Sequence, residues 1–169
     1  MKQLLTDIQN RLAAAVQADD SPLLAYVDLD WGQVDFYEGM PPVKFPCALI
    51  DVQNATYSNE GQRVQLGDIM VQIRIVDMIL SHSSAAAPAA QREKAARVFD
   101  LLREIHRLLH GWTGTPARYG RLVRKTLARV RRRDGLHEYT MTFEVVLTDD
   151  SARPQRQPVT VEQIDVRGQ

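Results

Sequence analysis

Very little in this chain is equipped for covalent or redox chemistry. A single cysteine among 169 residues, Cys47, excludes an internal disulfide, and its place in an apolar run makes a small buried thiol the expected state. That usage suits a reducing compartment. Net charge is missing as well: 21 lysines and arginines balance 21 aspartates and glutamates, so no global field draws the protein to nucleic acid or an anionic membrane. The opening MKQLLTDIQNRLAAAV carries a polar residue in every turn, which excludes the unbroken apolar stretch of a signal peptide or membrane span. A soluble cytoplasmic product is expected. None of Ser21, Ser58, Ser81, Ser83, Ser84 and Ser151 sits in a strand-to-helix nucleophile elbow, the glycines form no phosphate-cradling loop, and there is no internal repeat.

What is present is alternation. From Glu138 to Ala152, Tyr139, Met141, Phe143, Val145 and Leu147 fall on one side while Glu138, Thr140, Thr142, Glu144 and Thr148 fall on the other, the period of a half-buried antiparallel strand. Asp149, Asp150 and Ser151 end the pattern. A second strand is expected within Val64 to Ile79, with Ile69, Val71, Ile73 and Ile75 inward and Gln72 and Arg74 outward. Between these properties lies FPCALIDV, Phe45 to Val52, apolar on both faces, which reads as a strand covered on both sides or buried at an interface. Pro46 belongs at a strand end or an edge because it has no N–H to give. Tyr26 to Trp31 is a short extended segment, Gly39 to Pro42 a turn, and Asn54 to Arg63 a loop or an exposed hairpin tip.

Two amphipathic helices are expected. Leu4, Leu5, Ile8, Leu12, Ala15 and Val16 give one over residues 2–17, stopped by Asp19, Asp20, Ser21 and Pro22. Val98, Leu101, Leu102, Ile105, Leu108, Leu109 and Trp112 give another, beginning near Gln91 after the Ser/Ala/Pro-rich linker Ser81 to Ala90 and ended by Gly111. Arg121 to Arg133 is strand-like, and Asp134-Gly135 turns it into the alternating strand that follows. The expected fold is α+β: an antiparallel sheet of four to five strands with both helices on its apolar face, in the order α-β-β-β-α-β-β. Its length fits one domain, residues 1–152, with 153–169 as a flexible extension that is either a disordered tail or an arm. Val159, Val161 and Ile164 allow that arm to add a strand to a neighbour's sheet.

Several constellations invite chemistry and do not complete it. His106 and His110 are four apart, the spacing by which two imidazoles on a helix share a metal, yet Arg107 stands where a zinc protease has its glutamate, and Arg103 adds repulsion. Asp28 with Asp30, and Asp149 with Asp150, pair carboxylates without an attacking group nearby, and strand-end aspartates serve solubility and local backbone bonds. The strongest charge feature is RLVRKTLARVRRR, with Arg121, Arg124, Lys125, Arg129, Arg131, Arg132 and Arg133. Such a strand suits a solvated sheet edge, a contact with an acidic protein surface, or a phosphate backbone. It lacks the interleaved aromatics that stack bases, so nucleic acid is possible but not favoured.

Taken in order, YVDLDWGQVDFYEG at Tyr26 to Gly39, PPVKFPCALIDV at Pro41 to Val52, Gly67-Asp68 before IMVQIRIV, VFDLLREIHRLLHGW at Val98 to Trp112 and RRRDGLHEYTMTFEVVLTDDSA at Arg131 to Ala152 form a series. Over roughly residues 1–152 the series resembles the phage and prophage tail-terminator, or tail-completion, family of minor tail proteins. The resemblance implies a non-enzymatic structural protein with no catalytic, cofactor or metal residues. It implies a homo-oligomeric ring, commonly of six subunits, that docks on the last ring of the tail-tube protein and meets a head-tail connector protein. It also implies assembly in the host cytoplasm and residence in a virion tail or tail-like particle. By position, Asn54 to Arg63 and Ser81 to Ala90 correspond to loops that reach neighbours, whereas the C-terminal extension departs from the family's compact pattern. A closed ring needs two unlike complementary patches. Phe45, Leu49, Arg74, Arg124, Arg129, Arg131 and Glu144 are the candidate partner or subunit contacts, with Gln72, Arg74, Thr142 and Glu144 suited to a wet channel lining.

Overall fold

A computed structural model describes residues 1–35, 42–115 and 118–154. The expected turn at Gly39 to Pro42 falls outside the described residues except for Pro42, as does most of the C-terminal extension. The elements run α1 (Lys2–Ala13), β1 (Tyr26–Leu29), β2 (Cys47–Gly61), β3 (Val64–Met78), α2 (Ala89–Leu109), β4 (Val123–Val130) and β5 (Leu136–Asp149). This is the α+β order read from the sequence. The five strands form one sheet in the order β1-β2-β3-β5-β4.

The sheet is antiparallel except at one edge, where β1 runs parallel to β2 with Tyr26 opposite Cys47 and Leu29 opposite Ile50. A parallel neighbour needs a long crossover, and residues 30–46 supply it. The sequence pattern of β1 cannot show direction, which is why an all-antiparallel sheet was the expectation.

One face of the sheet carries the main core. Ala48 and Ile50 of β2, Ile69 to Ile75 at every second residue of β3, and Tyr139 to Leu147 at every second residue of β5 meet Leu4, Ile8 and Leu12 of α1 and Val98, Leu101, Leu102, Ile105 and Leu109 of α2. Cross-strand partners keep the two alternating patterns in step: Ile69 faces Val145, Val71 faces Phe143, Ile73 faces Met141 and Ile75 faces Tyr139. A one-residue slip would carry all of them to the opposite face, so register is strongly specified.

Helix α1 stops earlier than expected. Ala14 takes the cap position, and the N–H of Leu23 donates to the Ala15 carbonyl at 2.9 Å, so the chain doubles back. Ala15 is buried by that turn, whereas Val16 remains 59% exposed. Helix α2 begins two residues before Gln91 and ends at Leu109, after which Gly111 takes a φ of 77° that a side chain would strain.

The segment Asn54 to Arg63 is the outer arm and tip of a long hairpin. Strands β2 and β3 each span 15 residues and are joined through Gly61, Gln62 and Arg63, all at positive φ. Gly67 on this arm leaves room for the Tyr57 ring opposite it, since a Cβ there would sit 2.7 Å from Tyr57 Cε1. No helix among the described residues is long and apolar enough to cross a membrane.

Candidate functional site

The second face of the sheet is closed at one end and open at the other. At the closed end, Cys47 and Leu49 of β2, Val76 of β3 and Leu136 of β5 pack beneath Val34 and Val43, with Tyr26, Phe45 and Met78 partly buried against them. The start of strand β2, Cys47 to Ile50, is therefore covered on both sides, and FPCALIDV belongs to the core. Leu49 is wholly buried and has no surface to offer a neighbour, which corrects its place among the contacts; Phe45 is half-buried in the same cluster. The peptide between Phe45 and Pro46 is cis, and Pro46 precedes the first residue of β2, the strand end expected of it. Burial pushes the Cys47 thiol up to about 12, so it stays neutral and unreactive.

Beside this cluster lies an ionic one that local sequence patterns do not reveal. Arg74 Nη1 donates to Asp30 Oδ2 at 2.7 Å and Asp35 Oδ2 at 2.8 Å, and Arg74 Nε donates to Glu138 Oε1 at 2.9 Å. Arg132 Nη1 reaches Asp35 Oδ1 at 2.7 Å and Glu138 Oε2 at 2.8 Å, while its Nη2 binds Asp134 Oδ2 at 2.6 Å and the Val34 carbonyl at 2.8 Å. Two guanidinium groups thus meet four carboxylates, with Asp35 and Glu138 bridging both. Burial works against the Arg74 charge, but its hydrogen bonds to Asp35, Glu138 and Asp30 prevail and hold it firmly protonated. The Arg74 hydrogen bonds, reinforced by Arg132, hold the Asp35 carboxyl below the usual range.

This arrangement corrects two readings. Arg74 does point to the face opposite the main core, but its side chain is only 13% exposed, clamped under the segment that follows β1, so it does not line an open channel. Arg132, counted with the basic strand, has the same 13% exposure and fastens the β4–β5 turn to that segment. Gln72, Thr142 and Glu144, farther along the same face, remain half-buried, and Glu144 pairs with Lys125 across the β4–β5 ladder.

The open regions are the two sides of the sheet. Strand β4 is an edge: its partner β5 lies on one side only, seven of its eight residues are exposed, and Val123, Leu127 and Val130 are 41%, 48% and 37% exposed. The strand-like reading of RLVRKTLARVRRR is right for its middle, which forms this exposed edge strand. The pairing sets its faces. Arg124, Leu127 and Arg129 stand opposite Phe143, Met141 and Tyr139 and so share the helix side; Val123, Thr126, Ala128 and Val130 share the other. Among the described residues Arg129, Arg131 and Arg133 form no ion pair. At the other side, β1 covers β2 only as far as Ile50, so the polar stretch from Gln53 to Gly61 presents a second, uncharged-to-acidic edge.

His106 of α2 and His110, the residue that caps the end of the helix, sit against the start of β4. Their rings are 4.8 Å apart, and His110 Nδ1 accepts the Arg124 backbone N–H at 3.1 Å, which assigns that nitrogen a structural task. Burial, then the nearby Arg124 and His110, lower the His106 pKa. No group of three or more His, Cys, Asp or Glu able to hold a metal occurs among the described residues. Asp28 is occupied as well, accepting the Tyr26 hydroxyl at 2.7 Å, and Asp149 accepts the Ser151 N–H at 3.0 Å. Asp7 gathers the Tyr119 hydroxyl at 2.7 Å and the Thr115 hydroxyl at 2.9 Å, tying α1 to the loop before β4. Burial, then the bond to Asp7, push Tyr119 up to about 12.

No protein-family model matches the chain, and no curated protein matches it. Among solved structures, a chain described as "Virion of native gene transfer agent (GTA) particle" is similar in fold, with 15% identity and a TM-score of 0.46, over 86% of this chain and 95% of that one.

Proposed function

We propose that this chain is a structural, non-enzymatic subunit of a phage-type tail, a tail-terminator-like protein that closes into a homo-oligomeric ring, caps the tail tube and joins it to the head. The observation that carries the reading is a pair of unlike open surfaces on one sheet. Strand β4 is an apolar-and-basic edge, and the far side is a long polar hairpin arm. A ring built from identical subunits requires two different patches that complement each other, whereas a two-fold dimer would need one self-complementary patch. The likeness of the sequence blocks to tail-terminator proteins supports the same assembly. The partners in this reading are further copies of the chain, a tail-tube protein and a head-tail connector protein, in a virion tail or tail-like particle.

The test is light scattering after size exclusion at several concentrations, with and without tail-tube protein. The reading expects a discrete oligomer or a monomer that assembles when the tube protein is added. A monomer throughout, with no binding to the tube, overturns it.

A second reading rests on the exposed cations of the β4 region. Arg124, Arg129, Arg131 and Arg133 can follow a phosphate backbone, whereas Lys125 is paired with Glu144 and Arg132 is withdrawn from the set by its ion pairs. Duplex DNA binding that falls steeply with salt and disappears when Arg129, Arg131 and Arg133 are neutralised favours it. An unchanged gel shift removes it.

A further inference from the structure

We propose that, within the ring reading and resting on it, Arg129 and Arg131 of one copy dock in the cavity between the α1–β1 turn and helix α2 of the next copy. The cavity holds about 570 Å³. Its apolar wall is Val16, Leu23, Pro46 and Leu101, and Val16 is left 59% exposed in the single copy. Asp77, 1% exposed, forms the floor and is held by Arg97 Nε at 3.0 Å and Arg97 Nη2 at 2.8 Å. Asp100, Glu104 and Arg107 of α2 stand at the rim. Such a wall accepts the methylene stem of a long cationic side chain while the rim carboxylates take its charged head.

The charges around the cavity do not balance within one copy. Asp19 and Asp20 directly follow the lining residues Gln17 and Ala18, and neither forms an ion pair among the described residues. With Asp77, Asp100 and Glu104 they make five carboxylates, against the three guanidinium groups of Arg97, Arg103 and Arg107. The Arg103–Asp100 pair is 69% and 64% exposed, too weakly held to keep an incoming cation out. At the opposite edge of the sheet the excess has the other sign. Arg129, Arg131 and Arg133 are exposed and form no ion pair among the described residues. Patches of opposite charge fix the orientation in which two surfaces meet.

The register of the sheet sets the two patches at one level. Cys47 lies opposite Val76, Val76 opposite Glu138, and Glu138 opposite Val130, so a single row crosses from β2 to β4. Pro46 and Arg131 each lie one residue beyond that row, on the same side of it, with Asp77 and His137 paired between them. Arg129, opposite Tyr139, is on the face that the helices cover, and α2 lines the cavity on that same face. Copies turned about an axis along the strands therefore bring the basic edge of one to the cavity of the next without a shift along the strands. Because the patches occupy opposite edges, a two-fold dimer cannot bring both into one contact. A head-to-tail series uses every one.

Cross-linking between two pools of full-length chain, with and without tail-tube protein, tests the contact. One pool carries Arg133→Cys and the other Ala18→Cys, both exposed positions, and a short bismaleimide joins them; the native Cys47 is buried. The mixture should give a covalent heterodimer in clear excess over either homodimer. Arg129→Glu with Arg131→Glu in the first pool should cut that yield about tenfold, as should Asp100→Lys with Glu104→Lys in the second. Combining the two reversed pools should restore the link, which also shows that both variants are folded. The contact is overturned if no heterodimer forms, if either reversal leaves the yield unchanged, or if the reversed pools fail to pair. It is equally overturned if Arg133→Cys links instead to Tyr57→Cys on the hairpin arm, a result that leaves the ring reading standing on that arm. Linked head-to-tail chains that neither close nor bind the tube leave the contact standing and remove the ring.

Discussion

Replacing Arg74 by methionine probes the ionic clamp that holds the segment after β1 on the sheet. The guanidinium is 13% exposed and binds Asp30, Asp35 and Glu138, whose side chains are 10%, 32% and 3% exposed. Removing one member of a buried ion pair costs about 3–5 kcal/mol, because the partner is left charged in a poor dielectric. Arg132 still reaches Asp35 and Glu138, and Asp30 keeps the Gly32 N–H at 3.0 Å, so the low end applies. A loss of about 3 kcal/mol lowers Tm by roughly 6–12 °C in a chain of this size. Arg103→Met is the control, since its pair with Asp100 is 69% and 64% exposed; such exposed pairs are worth about 0.2–1 kcal/mol and are screened by salt. Thermal and urea unfolding of both variants, together with Glu138→Leu and the Arg74→Met/Glu138→Leu double variant, measure the coupling. The double variant should lose about 1–3 kcal/mol less than the sum of the singles. An Arg74→Met variant no less stable than Arg103→Met would refute the clamp.

Acid should loosen the same clamp. Because the folded-state pKa of Asp35 and Asp134 lies below the ordinary 3.8, their contribution is complete above that value and is lost as pH falls below it. Asp35→Asn should flatten the decline seen in unfolding titrations below about pH 4, and an identical acid limb in both proteins would contradict this. Tyr119→Phe should cost about 1–2 kcal/mol, because it strips one donor from Asp7, and equilibrium unfolding will show it. Cys47 should react with a thiol reagent at pH 8 only at the rate of unfolding; prompt stoichiometric labelling of the native protein would mean that the strand is not buried.

The parts of the fold that could be read in the sequence are those where burial is one-sided and local. Tyr139 to Leu147 and Ile69 to Ile75 alternate because one face meets the helices, and the α2 stripe from Val98 to Leu109 recurs for the same reason. The clamp could not be read this way. Asp30 and Asp35, Arg74, Arg132 and Glu138 come from four separate parts of the chain, and a period of two places Arg74 on the correct face without saying that residues 30–35 roof it over. Arg132 and Arg131 are adjacent residues of the same type, yet one is clamped and the other exposed; only the turn at Asp134 and the fold around it separate them. Leu49 shows the converse. A strand apolar on both faces has the same composition whether its second cover is a neighbour or, as here, Val34 and Val43 of its own chain.

Electron microscopy of tail tubes polymerising with and without this protein tests the central claim most directly. A capping ring is expected to appear as added density at one end of each tube, and the tubes should stop lengthening once it is bound. Tubes that keep growing, with bare ends and the protein left free in solution, would contradict it.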